Sequence, residues 1–120
     1  MTQETIDSCI QILTTVYGED VRVAREGQQT LARVRKVELY PSCQPSETPM
    51  LLVFDPAQPK PLPYVQPGQL LANGRSPRST SIQLVGGESW LQFSFNIPWT
   101  EEDGIVRFIA AARQRFAQND

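Results

Sequence analysis

The chain has 120 residues, 40% of them hydrophobic and 20% charged, with a formal net charge of −2 and a pI near 5.1. That suffices for one domain with its own core; there is no overall basic field for nucleic acid or an anionic membrane surface, and no apolar run nears the roughly 20 residues that span a bilayer. Histidine is absent and cysteine occurs twice, which excludes Ser-His and Cys-His nucleophiles, His-ligated zinc and a four-cysteine metal site within one chain.

Met1-Thr2-Gln3-Glu4 has neither the charged nor the apolar part of a signal peptide. With only two cysteines besides, the expected setting is cytoplasmic and the thiols free. Ile6, Cys9, Ile10, Leu13 and Val16 recur at helical spacing and Gly18 follows. The spacing predicts a helix over residues 3–17, with Cys9 in its apolar stripe as a small buried hydrophobe.

Strands are expected over residues 20–55. The first, from Asp20, ends in a turn at Gly27, and Thr30–Tyr40 is rich in strand formers. Apolar parity changes inside that second run, from Ala32 and Val34 to Val37 and Leu39. A one-residue slip would turn every side chain over, so a bulge is expected near Arg35-Lys36. Arg33 and Arg35 cluster there with Lys36, and Arg22 falls on the paired strand. They read either as an anion or acidic-peptide site or as charges guarding a strand edge. Residues 41–49 carry Pro41, Pro45 and Pro49, which predicts a loop with Cys43 exposed. Met50–Phe54 is apolar without alternation, as in a central strand covered on both faces.

Residues 56–80 read as a proline-rich, polyproline-like crossing, with a short helix over 67–73 opened by Pro67 and closed by Gly74. In it Arg75 and Arg78 flank a hydroxyl-rich loop that could hold a phosphate or serve as a plain connection. Residues 81–97 read as a hairpin turning at Gly86-Gly87, so that Leu84 faces Ser89 and Ile82 faces Leu91. Leu91, Phe93, Phe95 and Ile97 form its apolar row. Trp90 and Gln92 fall on the other, polar face. A tryptophan there is an interface anchor unless a crossing segment covers it. The last helix is expected over 100–117, capped by Thr100, with Glu101, Glu102 and Asp103 at its positive end. Its apolar stripe is Ile105, Phe108, Ile109, Ala112 and Phe116.

These elements predict a single α+β domain. An antiparallel sheet of about five strands is packed by N- and C-terminal helices, in the order helix, three strands, short helix, two strands, helix. Through Gln69–Gly74, Ile82–Ile97 and Ile105–Phe116 the chain resembles the class I type III secretion chaperones. That likeness implies a dimer holding an unfolded segment of a partner. The opening helix, the strand meander, Tyr40-Pro41 and Trp99 before a helix are also similar to ubiquitin-conjugating enzymes. Since no cysteine follows Pro61–Gly74, this second likeness implies an inactive, adaptor-like variant.

The expected function is a non-enzymatic protein-binding module, secretion-chaperone-like or adaptor-like. A homodimer with a protein or peptide partner is expected, without cofactor, nucleic acid or membrane. Binding would fall to Trp90, Gln92, Arg33, Arg35, Arg75 and Arg78. One rival is a small-ligand protein or enzyme built on Arg33, Arg35 and Glu38; another is a phage or mobile-element protein that blocks a host partner.

Overall fold

The computed structural model describes residues 1–78, 80–93 and 97–117. The opening helix, α1, spans Gln3–Tyr17. Thr2 caps it by accepting the Thr5 N–H at 3.1 Å, and Gly18, at φ +56°, ends it. After a 3-10 turn come six strands: β1 Val21–Glu26, β2 Gln29–Glu38, β3 Glu47–Phe54, β4 Leu62–Val65, β5 Thr80–Val85 and β6 Glu88–Phe93. They form one sheet in the order β1-β2-β3-β4-β6-β5, and every described neighbour pair is antiparallel. The closing helix, α2, spans Gly104–Arg115. The fold is α+β, with one strand more than the five expected.

The expected bulge lies between Val34 and Val37 of β2. Its position has a physical cause. Met50 pairs with Val34 and Thr48 with Val37, leaving Pro49 alone opposite Arg35 and Lys36, one residue against two. Proline has no N–H for the ladder, and the bulge removes the need for one. β3 therefore reaches back through Pro49 to Glu47, and the loop is shorter than the predicted 41–49. Met50–Phe54 is buried throughout, with a layer on each face.

The extra strand comes from the proline-rich segment. Leu62–Val65 pairs with β3, and its described pairing with β6 is confined to Tyr64–Gln92 and Val65–Leu91. Pro63 pairs with Leu52 of β3, and β4 sits inside the sheet with its proline in place. The short helix expected over 67–73 does not form; this stretch is turns held by tertiary bonds. Gln69, 1% exposed, donates its side-chain amide to the carbonyls of Pro45 at 2.8 Å and Leu70 at 3.1 Å. Leu70 N–H donates to Gln44 O and Ala72 N–H to Phe116 O. These two N–H groups go to distant carbonyls, while Gln69 N–H and Gly74 N–H close local turns to Gln66 O and Leu71 O and Leu71 N–H reaches forward to Arg75 O, so no helical ladder forms.

The main core lies between the helices and one sheet face. α1 contributes Ile6, Cys9 and Leu13, α2 contributes Ile105, Phe108, Ile109 and Ala112, and Phe116 follows it. The sheet supplies Ala32, Val34, Met50, Leu52, Phe54, Val65, Leu91 and Phe93. Phe93 meets Phe116 edge-to-face at 5.2 Å, and Trp99 meets Phe108 at 5.8 Å. Cys43, expected at the surface, is 2% exposed in this core, with Sγ 3.6 Å from Phe116 O. Burial pushes its thiol pKa up. The loop folds inward because Tyr40 docks on α2, its hydroxyl 2.8 Å from Gln114 Oε1.

α2 begins later than expected. Thr100 does accept the Asp103 N–H at 3.1 Å, as a cap should. Gly104 then takes φ +76°, which a continuous helix cannot contain, and the helix starts there. In the hairpin, Gly86 and Gly87 both have positive φ and the register is as predicted, Leu84 with Ser89 and Ile82 with Leu91. Residues 94–96, the end of the expected apolar row, lie outside the described residues.

Candidate functional site

The sheet's second face carries a smaller apolar cluster, Leu31, Leu51, Val53, Tyr64 and Trp90, with Leu62 and Val85 against it. Cross-strand partners place Arg22, Arg33, Leu51, Tyr64, Gln92 and Ser81 in one row. Arg33 thus shares a row with Gln92, not with Glu88. In a flat sheet Glu88 would lie three strands and four residues away, about 19 Å. Yet Arg33 Nη1 is 2.9 and 3.0 Å from the two carboxylate oxygens of Glu88. The sheet therefore coils, and the tip of the β5–β6 hairpin returns over β2. A Cβ placed on Gly86 would touch Leu31 Cδ1 at 3.8 Å and Glu26 Oε2 at 4.0 Å.

This coiling buries Trp90 to 3% exposure. It is not the exposed interface anchor expected from the sequence, and Tyr64 and Leu62 of the proline-rich segment pack in its cluster. Arg33 lies over its ring, the guanidinium carbon 5.2 Å from the centroid. Strand parity put Trp90 on the sheet face away from the helices; that face is not wet here, because the curl closes it over itself.

The two free edges of the sheet, β1 and β5, approach without pairing, and a cleft of about 200 Å³ opens between them. Leu31, Leu51, Trp90 and Val85 give it apolar walls, and Arg22, Arg33 and Glu88 line it with charge. Of the six residues expected to bind, only Trp90 and Arg33 meet here. Gln92 is half-buried and lines a separate cavity with Lys60, Pro61 and Phe93. Arg35 is exposed on the bulge, in a groove with Lys36, Glu47 and Gln66, and Lys36 pairs with Glu47 at 3.2 Å. Arg75 and Arg78 are exposed in the loop before β5 and do not line the cleft. Glu38 faces a further depression with Tyr17, Asp20 and Arg113. Arg33, Arg35 and Glu38, the rival site, thus line three different hollows.

Two features go beyond the sequence reading, which placed Arg22 on the strand paired with that of Arg33 without setting its register. Arg22 is the register partner of Arg33, so two guanidiniums share a row. Ile82 and Leu84 share the strand parity of Leu91 and Phe93, on the helix side of the sheet, yet they stay 57% and 75% exposed. The signal was available in part: β5 carries no charged residue, whereas β1 carries Arg22, Arg25 and Glu26.

Among the described residues no cluster of His, Cys, Asp or Glu could hold a metal ion, and no helix is long and apolar enough to cross a membrane. Burial, aided by the nearby Glu101 carboxylate, pushes the Cys9 thiol up to about 11. Compared with family models, curated proteins and solved structures, the chain matches none.

Proposed function

We propose that the chain is a non-catalytic protein-binding module that pairs its β5 edge with a strand of another chain. One observation carries this: β5 is an uncharged sheet edge whose apolar side chains, Ile82 and Leu84, stand in solvent. The two-residue turn makes Val85–Glu88 a hydrogen-bonded pair, so Ile82 and Leu84 aim their backbone N–H and C=O groups outward. Edges of this kind template pairing, and proteins that avoid it place charge there. β1 is such a charged edge; β5 is not.

A homodimer is the case in which a second copy supplies the strand. Two antiparallel β5 strands would meet without like charges opposed, whereas two β1 strands would bring Arg22 and Arg25 together. An adaptor-like role rests on helix α1 followed by the β1–β4 meander and on the absence of a cysteine after the Pro61–Gly74 segment. The chaperone-like reading has lost its Gln69–Gly74 helix.

Light scattering over a concentration series, on the wild type and on Leu84→Lys, tests the proposal. A dimer that Leu84→Lys splits supports it; a dimer indifferent to that change places the interface elsewhere and overturns it. If the wild type is monomeric, extended peptides are selected against it from a random display library. Binders lost in Leu84→Lys but kept in Val16→Lys, an exposed helix control, support the reading. Binders indifferent to Leu84, or no binders, overturn it.

A further inference from the structure

We infer that the cleft between β1 and β5 is a binding site for a small apolar carboxylate, with Arg22 as the anion's partner. Of β5 and its turn the site uses Val85 and Gly86 and neither Ile82 nor Leu84, so its test reads residues other than those of the proposed edge pairing.

The charge arrangement comes first. Arg22 and Arg33 are directly opposed on adjacent strands, an arrangement that repels unless an anion lies between or beside the two groups. Among the described residues one carboxylate reaches the pair. Glu88 binds Arg33 with both oxygens, and Arg33 is further fixed over Trp90. Arg22 has no salt bridge among the described residues. Glu26, also on this face of β1, is four residues away at the Gly86 end, about 13 Å along the strand. The charged lining of the cleft, Arg22, Arg33 and Glu88, sums to +1.

The shape restricts the ligand. About 200 Å³ is room for roughly half a dozen waters, smaller than the ~300–1,000 Å³ of drug-sized sites. Leu31, Leu51, Val85 and the Trp90 ring offer an apolar wall beside Arg22. A guanidinium at the rim of an apolar hollow selects a carboxylate carrying a short hydrocarbon body. A free aliphatic acid has that chemistry, and so does a peptide chain ending in an aliphatic residue.

Hexanoate and its neutral analogue hexanamide are titrated into isotopically labelled protein, following the amides of Ala24, Leu31 and Gly86 and the Trp90 indole N–H. The expected result is saturable shifts with hexanoate and binding about tenfold or more weaker with hexanamide, as for a charge-assisted contact. Arg22→Gln, an exposed edge-strand change, should remove the preference for the acid. Ala24→Leu should block both ligands by filling the cleft while leaving every charge in place.

A short alternating Thr-Val peptide, with its carboxyl terminus free or amidated, separates the two sources. Tighter binding than hexanoate that is lost on amidation assigns the site to a chain terminus. Binding weaker than hexanoate assigns it to a free acid. Equal binding of hexanoate and hexanamide, shifts that survive Arg22→Gln unchanged, or no shifts at all would each overturn the inference.

Discussion

Arg33 stacks over the ring of Trp90 at 5.2 Å while holding both carboxylate oxygens of Glu88, so one side chain of β2 pins the returning arm of β6. The two contacts differ in weight. The ion pair is half in solvent and worth ~0–1 kcal/mol, whereas the covered indole supplies the apolar area. Trp90→Ala should therefore cost about 3–5 kcal/mol in urea denaturation and Arg33→Ala about 1 kcal/mol. Neither should change the solution mass. A Trp90→Ala protein as stable as the wild type would mean that the cluster on the second face contributes nothing.

Gly104 isolates a backbone effect, because nothing lies within 4 Å of a Cβ placed there while φ is +76°. Gly104→Ala should cost about 1–2 kcal/mol from conformation alone. Thr100→Ala removes one cap bond and should cost ~1 kcal/mol. Thermal denaturation of the two variants compares them; a neutral Gly104→Ala would mean that α2 begins upstream, as the capping pattern alone suggests.

Gln69 is the polar centre of the loop knot. Besides its two donated bonds it accepts from Gln66 Nε2 at 3.2 Å. Gln69→Leu keeps the bulk but strands the carbonyls of Pro45 and Leu70, for an expected loss of about 2–3 kcal/mol. Amide exchange at Leu70 and Ala72 should speed up with it. Unchanged protection there would show that the backbone bonds hold the loop without the side chain.

Cys9 sets an alkaline limit. Its folded pKa of about 11 stands above the ordinary 9.0, so the unfolded chain releases this proton first. The stabilising effect of the buried neutral thiol is complete below pH 9 and is lost progressively between pH 9 and 11. Tyr17 and Tyr64, also raised by burial, steepen the fall above pH 10. In Cys9→Ala the decline in denaturation midpoint over pH 9–11 should be shallower than in the wild type. An identical slope would remove Cys9 as a cause. At pH 8 neither Cys9 nor Cys43 should react with a thiol reagent until denaturant is added.

Local pattern was enough wherever one periodicity and one stop signal agreed. Helix α1 with Gly18, the Gly86-Gly87 hairpin and its register, the double-sided burial of Met50–Phe54 and the bulge at Arg35-Lys36 follow from spacing, parity and turn chemistry. Those signals act over a few residues, and the chain obeys them because they match what the packing needs.

What tertiary structure alone decided lies where distant segments compete for the same groups. In the Pro67–Gly74 stretch Leu70 and Ala72 gave their N–H groups to Gln44 and Phe116 rather than to a helix. Cys43 went inside because Tyr40 docks on α2. Leu62–Val65 became an inner strand through its pairing with β3 on one side and with Leu91 and Gln92 of β6 on the other. The curl of the sheet decided the rest, since parity assigns a side chain to a face but carries no information about which strand returns over that face. Coiling buried Trp90, left Ile82 and Leu84 in solvent, and opened the cleft between two edges far apart in sequence.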